Sequence, residues 1–125
     1  VEELRQRFGA LKPGEADAYF YISDGMVVSQ AQLVIDMATS KRLPTMFSEQ
    51  SLLAMGGLAS YGQNFYEIGR LSAKYVQKIM TGAPPGDLRV EIVDKFELVV
   101  NLKTAKQIGL TIPPNVLARA DKVIK

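Results

Sequence analysis

Residues 56–85, GGLASYGQNFYEIGRLSAKYVQKIMTGAPP, constrain the fold more than any other stretch, because strand, turn, helix and stop follow one another there without conflict. Gly56 and Gly57 break what precedes them, and Leu58-Ala59-Ser60-Tyr61 has the length of a buried strand. Gly62 turns the chain. Asn64 and Glu67 stand at the spacing of a capping box, the Asn side chain accepting from the first free amides of a helix and the Glu reaching back. Ile68, Leu71, Tyr75, Val76, Ile79 and Met80 then recur at three- and four-residue steps, so one face of that helix is apolar, while Arg70, Lys74, Gln77 and Lys78 fall largely on the other. Gly82 suits a left-handed C-terminal residue, and Pro84-Pro85 forbids continuation. Such a helix covers a sheet. The polar cluster at its start (Ser60, Tyr61, Asn64) is the first place to look for function.

From the N-terminus, Leu4, Phe8 and Leu11 predict a short amphipathic helix closed by Pro13-Gly14. Residues 16–22, ADAYFYI, predict a strand apolar on both faces, hence a central one in a sheet covered on both sides. It ends at Ser23-Asp24-Gly25. Ser29 with Gln32 predicts a second capping box, with Ala31, Ile35 and Ala38 inward and Lys41-Arg42 at the negative end of the helix. LPTMF, residues 43–47, is the next strand, and Ser48 caps a short helix over 49–55. Beyond the double proline, alternation at Val90, Ile92, Phe96, Leu98 and Val100 predicts a long or broken strand. Asn101 caps a helix that Gly109 ends, and Pro113-Pro114 introduces a last short helix through Val123.

Strands alternating with helices over short loops predict a single α/β domain spanning residues 1–125, a layered, largely parallel sheet with helices on both faces. Ligands of such sheets sit outside the carboxyl ends of the strands, beside helix starts. Three of those ends are polar here, at Ser23-Asp24-Gly25, Ser48-Glu49 and Ser60-Tyr61-Gly62, and they share one edge if their strands are parallel.

The absence of cysteine and histidine excludes thiol nucleophiles, Ser-His-Asp triads, imidazole acid–base chemistry and nearly every zinc site. Only carboxylate, lysine or tyrosine chemistry is left to an enzyme, and Asp24 with Glu49 is thin support for that; the expectation is a non-enzyme needing no cofactor or metal. GGLASYG has neither the dinucleotide-binding spacing nor the phosphate-loop lysine. The net charge of +2 is spread along the chain and forms no basic stripe, so nucleic acid is not expected as a partner. No apolar run approaches the roughly 20 residues that span a bilayer. The opening VEELRQRF, helical in pattern and without a starting Met, reads as an excised piece.

Each candidate residue has a bland reading beside the functional one. Asp24 is an Asx turn or cap, or a carboxylate for a ligand ammonium. Ser48 is an N-cap, or a hydroxyl where free amides at a helix start favour a carboxylate or phosphate. Ser60 and Tyr61 pack within the sheet, or offer a hydroxyl and an aromatic face. The methionines, Met26 among them, read as core fillers. The clustering of the polar residues at three strand ends points to a small-molecule site.

Taken together, ADAYFYISDG, the GGLASYG segment with its long helix, and the tail NLKTAKQIGLTIPPNVLARAD resemble the C-terminal half of the substrate-binding proteins of ABC transporters, in the TrpX-like group. The resemblance covers residues 17–124. It implies one lobe of a type I periplasmic binding protein, two α/β lobes with a ligand in the cleft between them. It further implies an importer component in the periplasm or lipid-anchored outside the cytoplasm, binding a small solute such as an aromatic or branched amino acid and meeting an ABC permease. Asp24, Ser48, Ser60 and Tyr61 would then lie on the cleft side. The helix over 64–82 would cross to the other lobe, with 96–101 returning; its apolar face, left exposed, is expected to make the isolated piece dimerise. The alternative from another class is the effector-binding domain of a transcription regulator, which shares the two-lobed fold.

Overall fold

The computed structural model describes all of residues 1–125. Five strands form one sheet in the order β1(Tyr19–Phe20), β2(Thr45–Phe47), β3(Ala59–Gln63), β4(Phe96–Asn101), β5(Lys122–Ile124). The pairings β1–β2, β2–β3 and β4–β5 are parallel. Helix α1(Glu2–Ala10) precedes the first strand, and between the strands lie α2(Gly25–Ser29), α3(Ala31–Ser40), α4(Ser51–Ala54), α5(Phe65–Met80), α6(Leu102–Ile108) and α7(Pro114–Leu117). The expected α/β architecture, with a mostly parallel sheet and helices between its strands, is what forms.

The chain divides into two compact units, one made of residues 1–62 with 97–125 and one of residues 63–96. In the larger unit, Tyr21, Phe47 and Val99 of the sheet region pack with Ala31 and Ile35 of α3 and with Leu52 and Leu53 of α4. A second cluster joins Phe8 of α1 to Val34 and Ala38 of α3, and a third joins Leu58 to Ala105 and Ile108 of α6. Asn101 ties these layers together: its Oδ1 accepts from the Lys103 and Thr104 amides at 3.1 and 3.3 Å, capping α6, and its Nδ2 donates to the Leu53 carbonyl at 3.1 Å. Thr104 Oγ1 adds a bond to the Gly56 carbonyl at 3.0 Å.

In the smaller unit, Asn64 caps α5 as its sequence position predicts, Oδ1 accepting from the Tyr66 and Glu67 amides. The Glu67 carboxylate is bound by Arg70 at 3.3 Å. Gly82 closes the helix in the left-handed region (φ 102°), with the Ala83 amide on the Lys78 carbonyl. The extended segment after it is held by Tyr75, whose hydroxyl donates to the Arg89 carbonyl, and by Gln63 Nε2 on the Val93 carbonyl. No residue of α5 is buried, and Val76, Ile79, Met80, Val90 and Ile92 are all exposed.

Several expectations need correction. The first strand is an edge strand, two residues long, and its second apolar face is open: Phe20 is 69% and Ile22 78% exposed. Apolarity on both faces therefore did not mean a central place. No capping box forms at Ser29, whose hydroxyl donates to the Met26 carbonyl; Asp24 caps α2 and the chain re-enters helix at Ala31. Ser48 caps nothing, since α4 starts at Ser51 after Gln50. Val90 and Ile92 lie outside β4, and the last helix stops at Leu117. Residues 122–124 are instead a strand, because Asp121 grips β4 from both sides of the peptide: Leu98 N–H donates to its Oδ2 at 2.8 Å and its own N–H donates to the Leu98 carbonyl at 2.9 Å.

Candidate functional site

Parallel pairing of β1, β2 and β3 brings their carboxyl ends to one edge of the sheet. Strand order is sequential across these three, so no crevice arises from a reversal of order within them. The edge itself must supply the chemistry.

Asp24 stands just past β1, on a turn locked from beneath. The Tyr21 hydroxyl accepts from the Asp24 N–H at 3.0 Å and donates to the Asp24 carbonyl at 3.2 Å, while the Tyr21 ring packs on Phe47 with centroids 5.7 Å apart. The Asp24 carboxylate uses Oδ1 to cap α2, accepting from Met26 N–H at 2.9 Å and Val27 N–H at 3.3 Å. Its residue is exposed, and Oδ2 takes no bond from the chain. Capping and ligand binding are therefore compatible, one oxygen for each.

Ser48 follows β2. Its Oγ is buried and has no hydrogen-bond partner. An unpaired buried hydroxyl costs about 1–3 kcal/mol, so in a native fold such a group takes a partner from outside the chain, a water or a ligand. The register Met46↔Ala59, Phe47↔Ser60, continued one step, sets Ser48 beside Tyr61. The approach is close: a Cβ on Gly62 would lie 1.9 Å from the Ser48 carbonyl oxygen, so only glycine fits there.

The structure separates Ser60 from Tyr61. Adjacent strand residues face opposite ways. Ser60, 1% exposed, sits in register with Phe47 on the buried side, whereas Tyr61 is 54% exposed. Ser60 thus packs on the buried side of β3, while Asp24 and Ser48 stand just past β1 and β2 and the exposed Tyr61 lies in β3. Sequence reasoning passed over two residues close to Asp24 in the chain: Ile22 and Met26 are both exposed apolar side chains. The alternation in YFYI could have marked Ile22; nothing local distinguishes Met26 from a core methionine.

Comparison with known proteins agrees with this architecture. The model of the family described as ABC transporter substrate binding protein matches residues 8–124. A tyrosine-binding protein of Clostridioides difficile is 25% identical over 108 residues, covering 86% of this chain but 31% of that protein. Among solved structures, a conserved domain protein from Vibrio cholerae is 32% identical with a TM-score of 0.83, over 98% of this chain and 41% of that one. The ABC domain of Streptococcus pneumonia in complex with L-Trp is 28% identical, also with a TM-score of 0.83 and the same coverage. The chain thus spans less than half the length of the proteins it matches. With a family model running through nearly all of its elements, from α1 to β5, this chain belongs to the substrate-binding proteins of ABC transporters.

Proposed function

We propose that this chain forms most of one lobe of an importer's solute receptor, and that its strand-end edge takes the zwitterionic end of an amino acid with an aromatic or branched side chain. The observation that carries the reading is that two parallel strand ends present, after β1, an Asp24 carboxylate with one oxygen uncommitted and, after β2, a Ser48 hydroxyl with no hydrogen bond within the chain. Asp24 Oδ2 accepts from the ligand ammonium, a charge-assisted bond. Ser48 donates to the ligand carboxylate. Tyr61, Ile22 and Met26 give an apolar surface to the side chain. The ligand leaves as it arrived, with no bond made or broken.

Residues 63–96 belong, in this reading, to the opposing lobe. The chain divides at Gly62/Gln63 and Phe96/Glu97, which is where a crossing between lobes would leave and return. The apolar face of α5 then packs in that lobe. Closure of two lobes over the solute would exclude water and present one shape to a membrane permease, outside the cytoplasm. The names of two relatives, one binding tyrosine and one holding L-Trp, favour an aromatic ligand.

The test is calorimetric titration of the full-length protein with L-Trp, L-Tyr, L-Phe and L-Leu, and with N-acetyl-L-Trp, which has no ammonium. Free amino acids should bind and the acetylated one should not. Asp24→Asn should weaken binding by roughly 10- to 100-fold, the loss of about 1.5–3 kcal/mol expected for a charged bond. Equal affinity of Asp24→Asn and the parent, or of blocked and free tryptophan, would overturn the assignment.

A further inference from the structure

At the opposite end of the sheet from Asp24, where the chain enters β1 and β2, lies a pocket of about 300 Å³. Leu11, Lys12, Gly14, Ser40, Lys41 and Arg42 are among its walls, and no carboxylate lines it. Glu15, between the lining residues Gly14 and Ala16 in the chain, is turned to local use: its Oε2 accepts from the Lys12 N–H at 2.7 Å. Lys41 is fixed in place by a 2.8 Å bond from Nζ to the Leu11 carbonyl, leaving two of its N–H groups. The Lys12 ammonium and the Arg42 guanidinium have neither a carboxylate nor a carbonyl partner within the chain.

Helix α3 ends against this pocket, and cations often do no more than answer a helix C-terminus. Here that end is already satisfied. The Met37 carbonyl accepts from the Lys41 N–H and the Ser40 hydroxyl, the Ala38 carbonyl from the Lys41 and Leu43 N–H groups, and the Thr39 carbonyl from the Arg42 N–H. The motif places Arg42 in the left-handed position that glycine normally fills, with φ 54°, the one non-glycine residue of the chain at positive φ. Sharing Leu11, Ala16 and Leu43 with the cationic pocket as wall residues is a second one of about 230 Å³, lined also by Leu4, Phe8, Ala18 and Tyr19 with Arg7 at its side.

We propose that these two pockets form a second binding site, independent of the amino-acid edge, for a phosphate group carried on an apolar body. Lys12, Lys41 and Arg42 hold the phosphate, Arg42 by its planar fork. The Leu4–Phe8 side takes the apolar part. A free phosphate ester and a phospholipid headgroup share this chemistry.

Hexyl phosphate, hexanol and inorganic phosphate serve as probes, titrated at matched ionic strength and followed by amide shifts in NMR. Hexyl phosphate should bind at least about tenfold more tightly than either fragment, with shifts concentrated at residues 11–16 and 40–43. Arg42→Gly, which removes the charge and the backbone strain together, should raise Tm while abolishing the response, and Lys12→Ala should weaken it with Tm unchanged. Sedimentation with vesicles of phosphatidylglycerol identifies the source: co-sedimentation lost in Arg42→Gly means a lipid headgroup, and none with hexyl phosphate still bound means a soluble ester. Hexanol binding as well as hexyl phosphate, or unaltered hexyl phosphate binding in Arg42→Gly, would overturn the site. Neither result bears on the amino-acid reading, which stands or falls on Asp24.

Discussion

On the proposed reading, Ser48 makes stability and ligand binding pull in opposite directions. Its hydroxyl is buried without a partner, so Ser48→Ala removes a desolvated group and should leave the unliganded protein as stable or about 1 kcal/mol more stable, while weakening the ligand. Urea unfolding without and with amino acid checks both signs; a destabilised unliganded variant would mean that the hydroxyl already has a partner. Gly62 is intolerant for a geometric reason. A methyl group there would meet the Ser48 carbonyl oxygen at 1.9 Å, and Gly62→Ala should cost about 2–3 kcal/mol as β3 is pushed from β2. Tyr19 gives a pH signature. Burial between Phe8 and Phe47, and then the neighbouring Tyr21, raise its phenol above the ordinary 10.0. Because the folded state keeps this proton more tightly than the unfolded one, the stability involved is whole below pH 10 and is lost as pH rises through the raised value. Tyr19→Phe should flatten that alkaline loss in thermal melts across pH 9 to pH 12, and an unchanged slope would assign it to another group.

Among the elements, α5 and α6 show how much a cap can carry and where it stops. The Asn64 cap, the apolar steps and the Gly82 stop of α5 are all local, and all were legible in the sequence. Asn101 was legible as the cap of α6, but its amide also reaches the Leu53 carbonyl, which lies 48 residues away in the chain. Asn101→Ala should therefore cost more than an ordinary cap. About 1 kcal/mol goes with the cap and a further 1–2 kcal/mol with the carbonyl left unpaired, so chemical unfolding should show about 2–3 kcal/mol in all. A loss near 1 kcal/mol would mean that water replaces the amide. The strand ends follow the same pattern: the positions of Asp24 and Ser48 just past β1 and β2 were legible locally, whereas the opposite facing of Ser60 and Tyr61 needed the register.

For the whole molecule, the unit of residues 63–96 is the anomaly. Its helix is strongly two-faced, yet none of its residues is buried, and Val90 beside it is 92% exposed. Soluble proteins rarely leave contiguous apolar surface of this kind uncovered. No helix is long and apolar enough to cross a membrane. We propose that the isolated 125-residue chain covers this face with a second copy. Sedimentation should then show dimers at micromolar concentrations, and Val76→Gln with Ile79→Lys should return a monomer. A compact monomer of the parent chain at high concentration would sink the idea.

What the sequence by itself determined were the features governed by nearest neighbours along the chain. These were the α/β alternation, the start and stop of α5, the caps at Asn64 and Asn101, and the polar residues at three strand ends. Only the tertiary structure decided which partners those features met. Tyr19–Phe20 became an edge because just one strand pairs with it, a fact that its own apolarity does not encode. Residues 122–124 became a strand because Asp121 binds Leu98, 23 positions earlier. Ser48 was left without a partner because α4 began three residues beyond it. Spacing rules describe what one element can do alone; hydrogen bonds and packing between distant segments choose among the options that remain.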